Sequence, residues 1–206
     1  MRTLLTQQEA ADLLSPYHKS LIVETFDQAL IEVTKTIDCD LQNSIIHQQK
    51  VKPMLFWSYV VHFASLNSAK FEDFKPVIIN GVFGLLYHDL LFIRFKKVND
   101  MFLSSNIPTK QSKAFNYQYE IDGLANELSI LTAAYRINTT WTEFKSINII
   151  CRSGENILWN TDLINGNKSK ITKLFEVEPN QNVSDNVMQL LKIREGIVQR
   201  KKNNTQ

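Results

Sequence analysis

The chain has 206 residues, of which 44% are hydrophobic and 21% charged, as is typical of a globular protein with a sizeable core. Its 23 basic and 21 acidic residues nearly cancel, so net charge alone does not indicate a nucleic-acid-binding protein. No stretch reaches the roughly 18 uninterrupted apolar residues of a membrane span, and the N-terminus lacks the apolar segment of a signal peptide. We therefore expect a soluble, cytoplasmic protein that does not contact a membrane.

The first third of the sequence predicts helices. Thr6 and Glu9 have the spacing of a capping box, which predicts a short first helix. A Ser-Pro pair then marks a second start, and apolar residues at steps of three and four predict an amphipathic helix over residues 16–37. We further expect Asp40 to cap a third helix and Pro53 to begin a fourth, which is apolar nearly all round and therefore buried.

After residue 75 the sequence becomes rich in β-branched and aromatic residues, which indicates strands. Asn80 and Gly81 form a two-residue hairpin signal. Along the next strand, alternation places Arg94 and Lys96 on one face and Lys97 on the other. Three later runs, LSILTAAYRI, FKSINIICR and NILWNTDL, predict an antiparallel meander.

These elements predict a single α+β domain over residues 1–206. Its N-terminal helices, within residues 1–72, pack on a mostly antiparallel sheet of about four to five strands within residues 73–165. Residues 166–206 are expected to form a loop, a C-terminal helix with a second basic cluster, and a frayed tail.

Catalytic and metal-binding motifs are weak in this sequence. Cys39 and Cys151 form no CxxC motif, so we expect two buried thiols, with a disulfide between them left open. The four histidines lack the spacing of a helical zinc pair, and we predict no metal and no cofactor. His88, Glu120 and Asp122 are the residues that a nuclease would use, but they show no recognisable arrangement. An enzyme is therefore disfavoured but left open.

Positive charge is concentrated beside aromatic residues in the second half of the chain. Thr109 is predicted to cap a short helix there that ends at Tyr117. The candidate binding residues are Arg94, Lys96, Lys97, Lys110, Lys113, Phe115, Tyr117, Arg136, Arg152 and Trp159. If neighbouring strands bring them together, they form a stripe that docks an acidic protein surface, or binds phosphates while bases stack on the rings. The structural alternative is a set of solvated lysines that protects a sheet edge from pairing.

Four segments resemble parts of a family of small uncharacterised bacterial and prophage proteins, in which R-[FL]-K-K and N-[IY]-P-T-x-Q runs precede a short β-meander. The segments are RFKK at 94–97, SNIPTKQ at 105–111, AAYRIN at 133–138 and ILWNTDL at 157–163. Members of that family are similar to proteins encoded beside zinc metallopeptidases of the ImmA/IrrE type, in regulatory or toxin–antitoxin-like modules. The resemblance implies no catalytic residue here, and peptidase activity is not implied because the chain has no HExxH motif.

The sequence and this resemblance together predict a non-enzymatic, antitoxin-like subunit of a bacterial or prophage regulatory or defence module. A protein partner is expected, and a homo-oligomer is left open. The alternatives are a nucleic-acid-binding regulator and a metal-dependent nuclease. Replacing Arg94, Lys96 and Lys97 together by alanine is predicted to weaken partner capture while leaving the melting curve nearly unchanged.

Overall fold

Three helices form the N-terminal part of the fold, and local sequence signals explain where they lie. The computed structural model describes residues 2, 4–40, 48–104 and 109–164, all of which fall in the compact unit Met1–Lys168. The helices are α1 (Gln7–Leu13), α2 (Pro16–Asp40) and α3 (Gln48–Ser68). Thr6 caps α1 by the predicted capping box: its hydroxyl accepts from the Glu9 N–H, and the Glu9 carboxylate accepts from the Thr6 N–H.

Two helix boundaries differ from the prediction. Helix α2 continues beyond residue 37 and includes Asp40, which the sequence had placed at the start of a third helix. Helix α3 begins at Gln48, and Pro53 lies inside it. A proline early in a helix removes one backbone hydrogen bond, which packing of the rest of the helix compensates. The prediction that this helix is buried is wrong: Phe56 and Val60 face the core, but Met54 is 72% exposed and Leu66 55% exposed. The predicted helix around Leu41, Ile45 and Ile46 falls on residues outside the described part of the chain.

A six-stranded sheet carries the rest of the described fold. Its strands are β1 (Phe74–Ile79), β2 (Val82–Tyr87), β3 (Leu91–Lys97), β4 (Ser129–Ile137), β5 (Phe144–Ser153) and β6 (Asn156–Asp162). They lie in sequence order, and every neighbouring pair is antiparallel except β3 and β4. The predicted α+β class is confirmed, with six strands rather than four to five.

The parallel pairing of β3 and β4 requires a crossover, because a tight hairpin joins only antiparallel strands. Residues 98–128 provide this crossover and contain α4 (Lys110–Tyr117), with Thr109 as its N-cap as predicted. The antiparallel pairs use shorter turns. Asn80 and Gly81 connect β1 to β2 and both have positive φ, which is the hairpin geometry that their sequence predicts.

One face of the sheet packs against α2 and α3, and we call it the helix-packed face. Phe26 of α2 and Phe56 of α3 are fully buried, and both rings contact the Tyr135 ring on β4. Each fully buried phenylalanine contributes about 1.5–3 kcal/mol through removal of apolar area from water. The sheet side of this core includes Phe83, Leu85, Ile93, Phe95, Ala133, Ile147, Ile149 and Cys151.

The opposite face carries a smaller apolar core and a polar region. Phe92 on β3 packs against Phe115 of α4, with a ring separation of 5.9 Å, so α4 covers this side of the sheet. Gly84 on β2 makes room for the Phe92 ring, because a Cβ there would lie 2.5 Å from it. The remaining residues of this face are mostly polar and form the candidate site.

Several predictions fall outside the described residues. They are the C-terminal helix with its basic cluster, the frayed tail, and residues 105–108 of the family-like segment. The described ranges contain no helix with the length and hydropathy that crossing a bilayer requires.

Candidate functional site

Alternation along β3, β4 and β5 directs a set of polar side chains to the face covered by α4. We call this the polar face; its polar members are Arg94, Lys96, Thr132, Arg136, Ser146, Asn148 and Arg152. Strand register aligns these residues in rows across the sheet. Arg94 lies opposite Thr132, and Lys96 lies in the row of Ala134 and Asn148. The predicted separation of Arg94 and Lys96 from Lys97 is confirmed, since Lys97 lies on the other face.

Arg94 is buried, with 4% of its surface exposed, and neutral groups compensate its charge. Its Nε–H donates to the Thr132 hydroxyl at 3.1 Å, and Nη2 donates to the Asn116 side-chain oxygen. The guanidinium also lies 5.6 Å from the centre of the Phe115 ring. Asn116 lies in the last turn of α4, where the helix dipole is negative and stabilises a cation. Burial, with a smaller effect from the Arg152 charge, lowers the pKa of Arg94 to about 10, so it stays charged at neutral pH.

Arg152 is equally buried but lacks such compensation. Only 5% of its surface is exposed, and its Nε and Nη2 atoms have no hydrogen-bond acceptor in the described part of the chain. No carboxylate of the described ranges lies within ion-pair distance of it. Burial lowers the pKa of Arg152, and the negative charge of nearby Glu155 partly opposes this effect. Arg152 is thus a buried cation with two unused donors.

Other polar groups near the buried arginines are also unpaired. Lys96 is half-buried; burial lowers the pKa of Lys96, and the positive charge of Arg94 lowers it further. Within the described ranges, its ammonium group forms no ion pair or hydrogen bond. The buried side-chain oxygens of Asn148 on β5 and Asn160 on β6 have no donor there either. Native proteins rarely bury so many unpaired polar atoms in one region, so this part of the face calls for a functional explanation.

Arg136, at the end of β4, is occupied by structural contacts. Its Nη1 lies 3.0 Å from an Asp100 carboxylate oxygen, and its Nε donates to the Ser146 hydroxyl at 2.8 Å. The guanidinium also stacks over the Phe102 ring at 5.2 Å. These contacts hold the start of the crossover against the sheet, and Asp100 neutralises the charge. Arg136 therefore contributes little free positive charge to a partner.

Helix α4 presents a different surface to solvent. Lys110, Lys113 and Tyr117 follow at steps of three and four residues, so they lie on one side of the helix, opposite the buried Phe115. Both lysines are exposed, and Tyr117 is 38% exposed. The Tyr119 ring, 56% exposed, stacks on Tyr117 with a centroid distance of 5.4 Å. We call Lys110, Lys113, Tyr117 and Tyr119 the α4 stripe.

Two of the candidate binding residues lie on the helix-packed side. The Lys97 ammonium lies 4.9 Å from the centre of the Trp141 ring. Trp159 on β6 packs against the main core, and its Nε1–H donates to the Leu5 carbonyl at 2.7 Å. The ten candidates therefore do not form one surface, because strand alternation and the cover provided by α4 separate them.

Sequence reasoning missed the residues that hold α4 on the polar face. The Gln118 side chain, in a residue only 2% exposed, donates to the Ile130 and Arg152 carbonyls and accepts from the Ile130 N–H. Asn116 binds Arg94 through its side chain and the Gly154 N–H through its carbonyl. Thr132 is a polar residue within an apolar strand, and this could have indicated a buried polar contact on that face. Nothing in the sequence identifies Asn116 or Gln118 as residues that hold α4.

The residues considered for catalysis do not converge. His88 pairs with Asp73 at 2.7 Å, at the end of β2 that leads into β3. The Asp122 backbone contacts Asn80 at the opposite end of β2, and the Glu120 carboxylate accepts from Asn126. The described residues contain no group of His, Cys, Asp and Glu side chains that could hold a metal ion. Buried Cys151 faces the main core, and burial raises the pKa of its thiol to about 11.

The structure thus places six of the ten candidate residues in two clusters on the same side of the sheet. Arg94, Lys96 and Arg152 lie on the polar face, and the α4 stripe lies on the outer side of the helix that covers it. No protein-family model matches this chain, and no curated protein or solved structure matches it either. Its function is therefore inferred from the chemistry of these two clusters.

Proposed function

We propose that this chain is a non-enzymatic binding protein that docks an acidic protein surface on the α4 stripe. The observation that carries the proposal is the geometry of the stripe: Lys110 and Lys113 are exposed on the same side of α4 as Tyr117, and the exposed Tyr119 ring stacks on Tyr117. Neither lysine has an ion-pair partner in the described ranges. The resemblance to proteins of regulatory and toxin–antitoxin-like modules supports an antitoxin-like, cytoplasmic role.

The stripe has the composition that protein interfaces favour. Exposed cations increase the rate of encounter with an acidic surface and fix its register, while tyrosine rings supply contact area. Helix α4 is also held rigidly, by its Thr109 cap, by burial of Phe115 and by the Arg94–Asn116 hydrogen bond. A rigid surface loses little conformational entropy when it binds.

Charge reversal on the stripe tests the proposal. Quantitative capture from the native host should drop at least about tenfold for Lys110→Glu/Lys113→Glu, because like charges would then face each other. The matched control is Lys75→Glu/Lys145→Glu, which changes the net charge equally at exposed lysines on β1 and β5 and should capture normally. Equal capture by both double variants would contradict the docking surface.

The burial of Arg94 changes the expected effect of replacing Arg94, Lys96 and Lys97 by alanine. Arg94 is buried and hydrogen-bonded, so its removal leaves Thr132 and Asn116 without their donor and costs about 1–3 kcal/mol. The melting curve of that triple variant should therefore shift to lower temperature, contrary to the sequence-based prediction. The two α4 lysines are better probes because both are exposed.

A nucleic-acid-binding regulator is the second candidate, and the stacked Tyr117 and Tyr119 rings favour it. Exposed rings beside lysines can stack with unpaired bases while the cations contact phosphates. This function predicts an affinity for single-stranded DNA or RNA that drops steeply with salt, because bound phosphates release counterions. Gel-shift titrations at two salt concentrations test it, and no shift at low salt would exclude it.

A further inference from the structure

The unpaired edge of Arg152 identifies a second site, on the sheet side of α4. The two atoms without acceptors, Nε and Nη2, lie on the same edge of the guanidinium. Their N–H bonds are nearly parallel, which is the fork that binds two oxygens of one carboxylate or phosphate. Arg152 is buried, so these donors have little access to bulk water. An acceptor group with two adjacent oxygens would satisfy both donors at once.

The surroundings of this edge favour an anion with more than one negative charge. Arg94 is close enough for the Arg152 charge to lower its pKa, and Lys96 adds a third cation on the same face. Glu155, in the turn beside Arg152, is the carboxylate whose negative charge acts on Arg152. It is not within ion-pair distance of Arg152. The local positive charge therefore exceeds what a single carboxylate would neutralise.

We propose that the polar face binds a phosphate group, with the Nε–Nη2 edge of Arg152 as its bidentate anchor and Arg94 and Lys96 supplying further positive charge. The amide of Asn160, whose oxygen is buried and unpaired, lies on the same sheet face, opposite Ile150 and therefore in the row next to Arg152. A side-chain amide donates through its nitrogen or accepts through its oxygen, so it suits both a phosphate oxygen and a phosphate hydroxyl. This site goes beyond the proposed docking function, because Lys110 and Lys113 lie on the other side of α4.

Titration of the full chain with inorganic phosphate tests the site, by calorimetry at constant ionic strength with chloride as the replaced anion. We expect saturable binding of one phosphate per chain with a Kd below about 1 mM. Arg152→Met should abolish it and should melt no lower than the wild-type chain in phosphate-free buffer, since it removes an unpaired buried cation. The matched control, Lys97→Met, removes a cation from the opposite face and should bind phosphate like the wild type.

A second variant separates bidentate recognition from simple charge. Arg152→Lys keeps the positive charge but loses the fork, so its Kd should rise at least about tenfold. This variant also decides the question if the methionine variant does not fold. An absence of saturable phosphate binding to the wild-type chain up to about 10 mM, or an unchanged Kd in Arg152→Lys, would overturn the proposal.

A further arm of the titration distinguishes the sources of the phosphate group. Methyl phosphate carries the same dianion with one oxygen esterified, as in the terminal phosphate of a larger molecule. Binding equal to that of inorganic phosphate would assign the site to a phosphomonoester, and selective binding of inorganic phosphate would assign it to the free ion. These measurements are independent of partner capture, so failure of the docking proposal and failure of the phosphate site are distinguishable.

Discussion

Replacing Gln118 with leucine should destabilise the fold more than any surface substitution near it, because this amide joins α4 to the sheet. Its side chain forms hydrogen bonds of 2.7 and 3.0 Å to the Ile130 and Arg152 carbonyls and one of 2.9 Å from the Ile130 N–H. These groups lie where the pairing of β4 and β5 ends, since that register begins at Leu131 and Cys151. The Gln118 side chain therefore bridges β4 and β5 and forms hydrogen bonds that direct pairing of Ile130 with Arg152 would otherwise supply.

The magnitude follows from three buried backbone groups that lose their partner. A typical hydrogen bond contributes about 0.5–1.5 kcal/mol net, and a buried group left unpaired costs about 1–3 kcal/mol. Leucine has a similar volume and preserves most of the packing, so we expect a loss of about 3–5 kcal/mol in the free energy of unfolding. For a chain of this length, such a loss lowers the melting temperature by about 10 °C.

Urea unfolding followed by circular dichroism measures this loss. The matched control is Gln111→Leu, the same change in the same helix region, where the side-chain amide donates to the Asn80 carbonyl at an exposed position. The control should change the free energy of unfolding by no more than about 0.5 kcal/mol. A loss below about 1 kcal/mol for Gln118→Leu would refute the reasoning, since water would then be satisfying the freed backbone groups.

Two further predictions concern packing and pH. Gly84→Ala should lower the free energy of unfolding, measured in urea, by at least about 2 kcal/mol, because the new Cβ would collide with the Phe92 ring. A smaller loss of stability in Gly84→Ala than in Gly81→Ala would contradict this reasoning. Burial and the nearby Glu24 charge raise the pKa of Asp27 to about 6 in the folded chain. The free energy of unfolding should therefore decrease by at most about 3 kcal/mol as pH rises from about 4 to 6. Asp27→Asn should flatten this pH dependence, and an unchanged pH dependence in that variant would contradict the prediction.

The parts of the fold that local chemistry determines were predictable from the sequence. The capping box at Thr6, the hairpin at Asn80–Gly81 and the short helix capped by Thr109 all lie where their residues indicate. The three runs of the meander are strands β4, β5 and β6. Each of these features depends on interactions within a few residues, which a single sequence displays directly.

The non-local arrangement was not predictable in the same way. The parallel pairing of β3 with β4 depends on how the connection that contains α4 crosses the sheet, and no local signal specifies that path. The alternation of side chains correctly assigned Arg94 and Lys96 to one face, but it did not indicate whether that face is exposed to solvent or covered by another element. Helix α4 then covers that face and buries Arg94, so the predicted patch separates into a buried cluster and an exposed stripe.

Arg94 and Arg152 illustrate how the same residue type on the same face can differ in role. The last turn of α4 gives Arg94 an amide acceptor and the negative end of a helix dipole, so its charge is balanced within the fold. Arg152 receives no such acceptor from the described chain, although Gln118 binds its backbone carbonyl. A cation that is buried and unpaired destabilises the fold unless something binds it. This is why we propose a ligand for Arg152, whereas the structure alone explains Arg94.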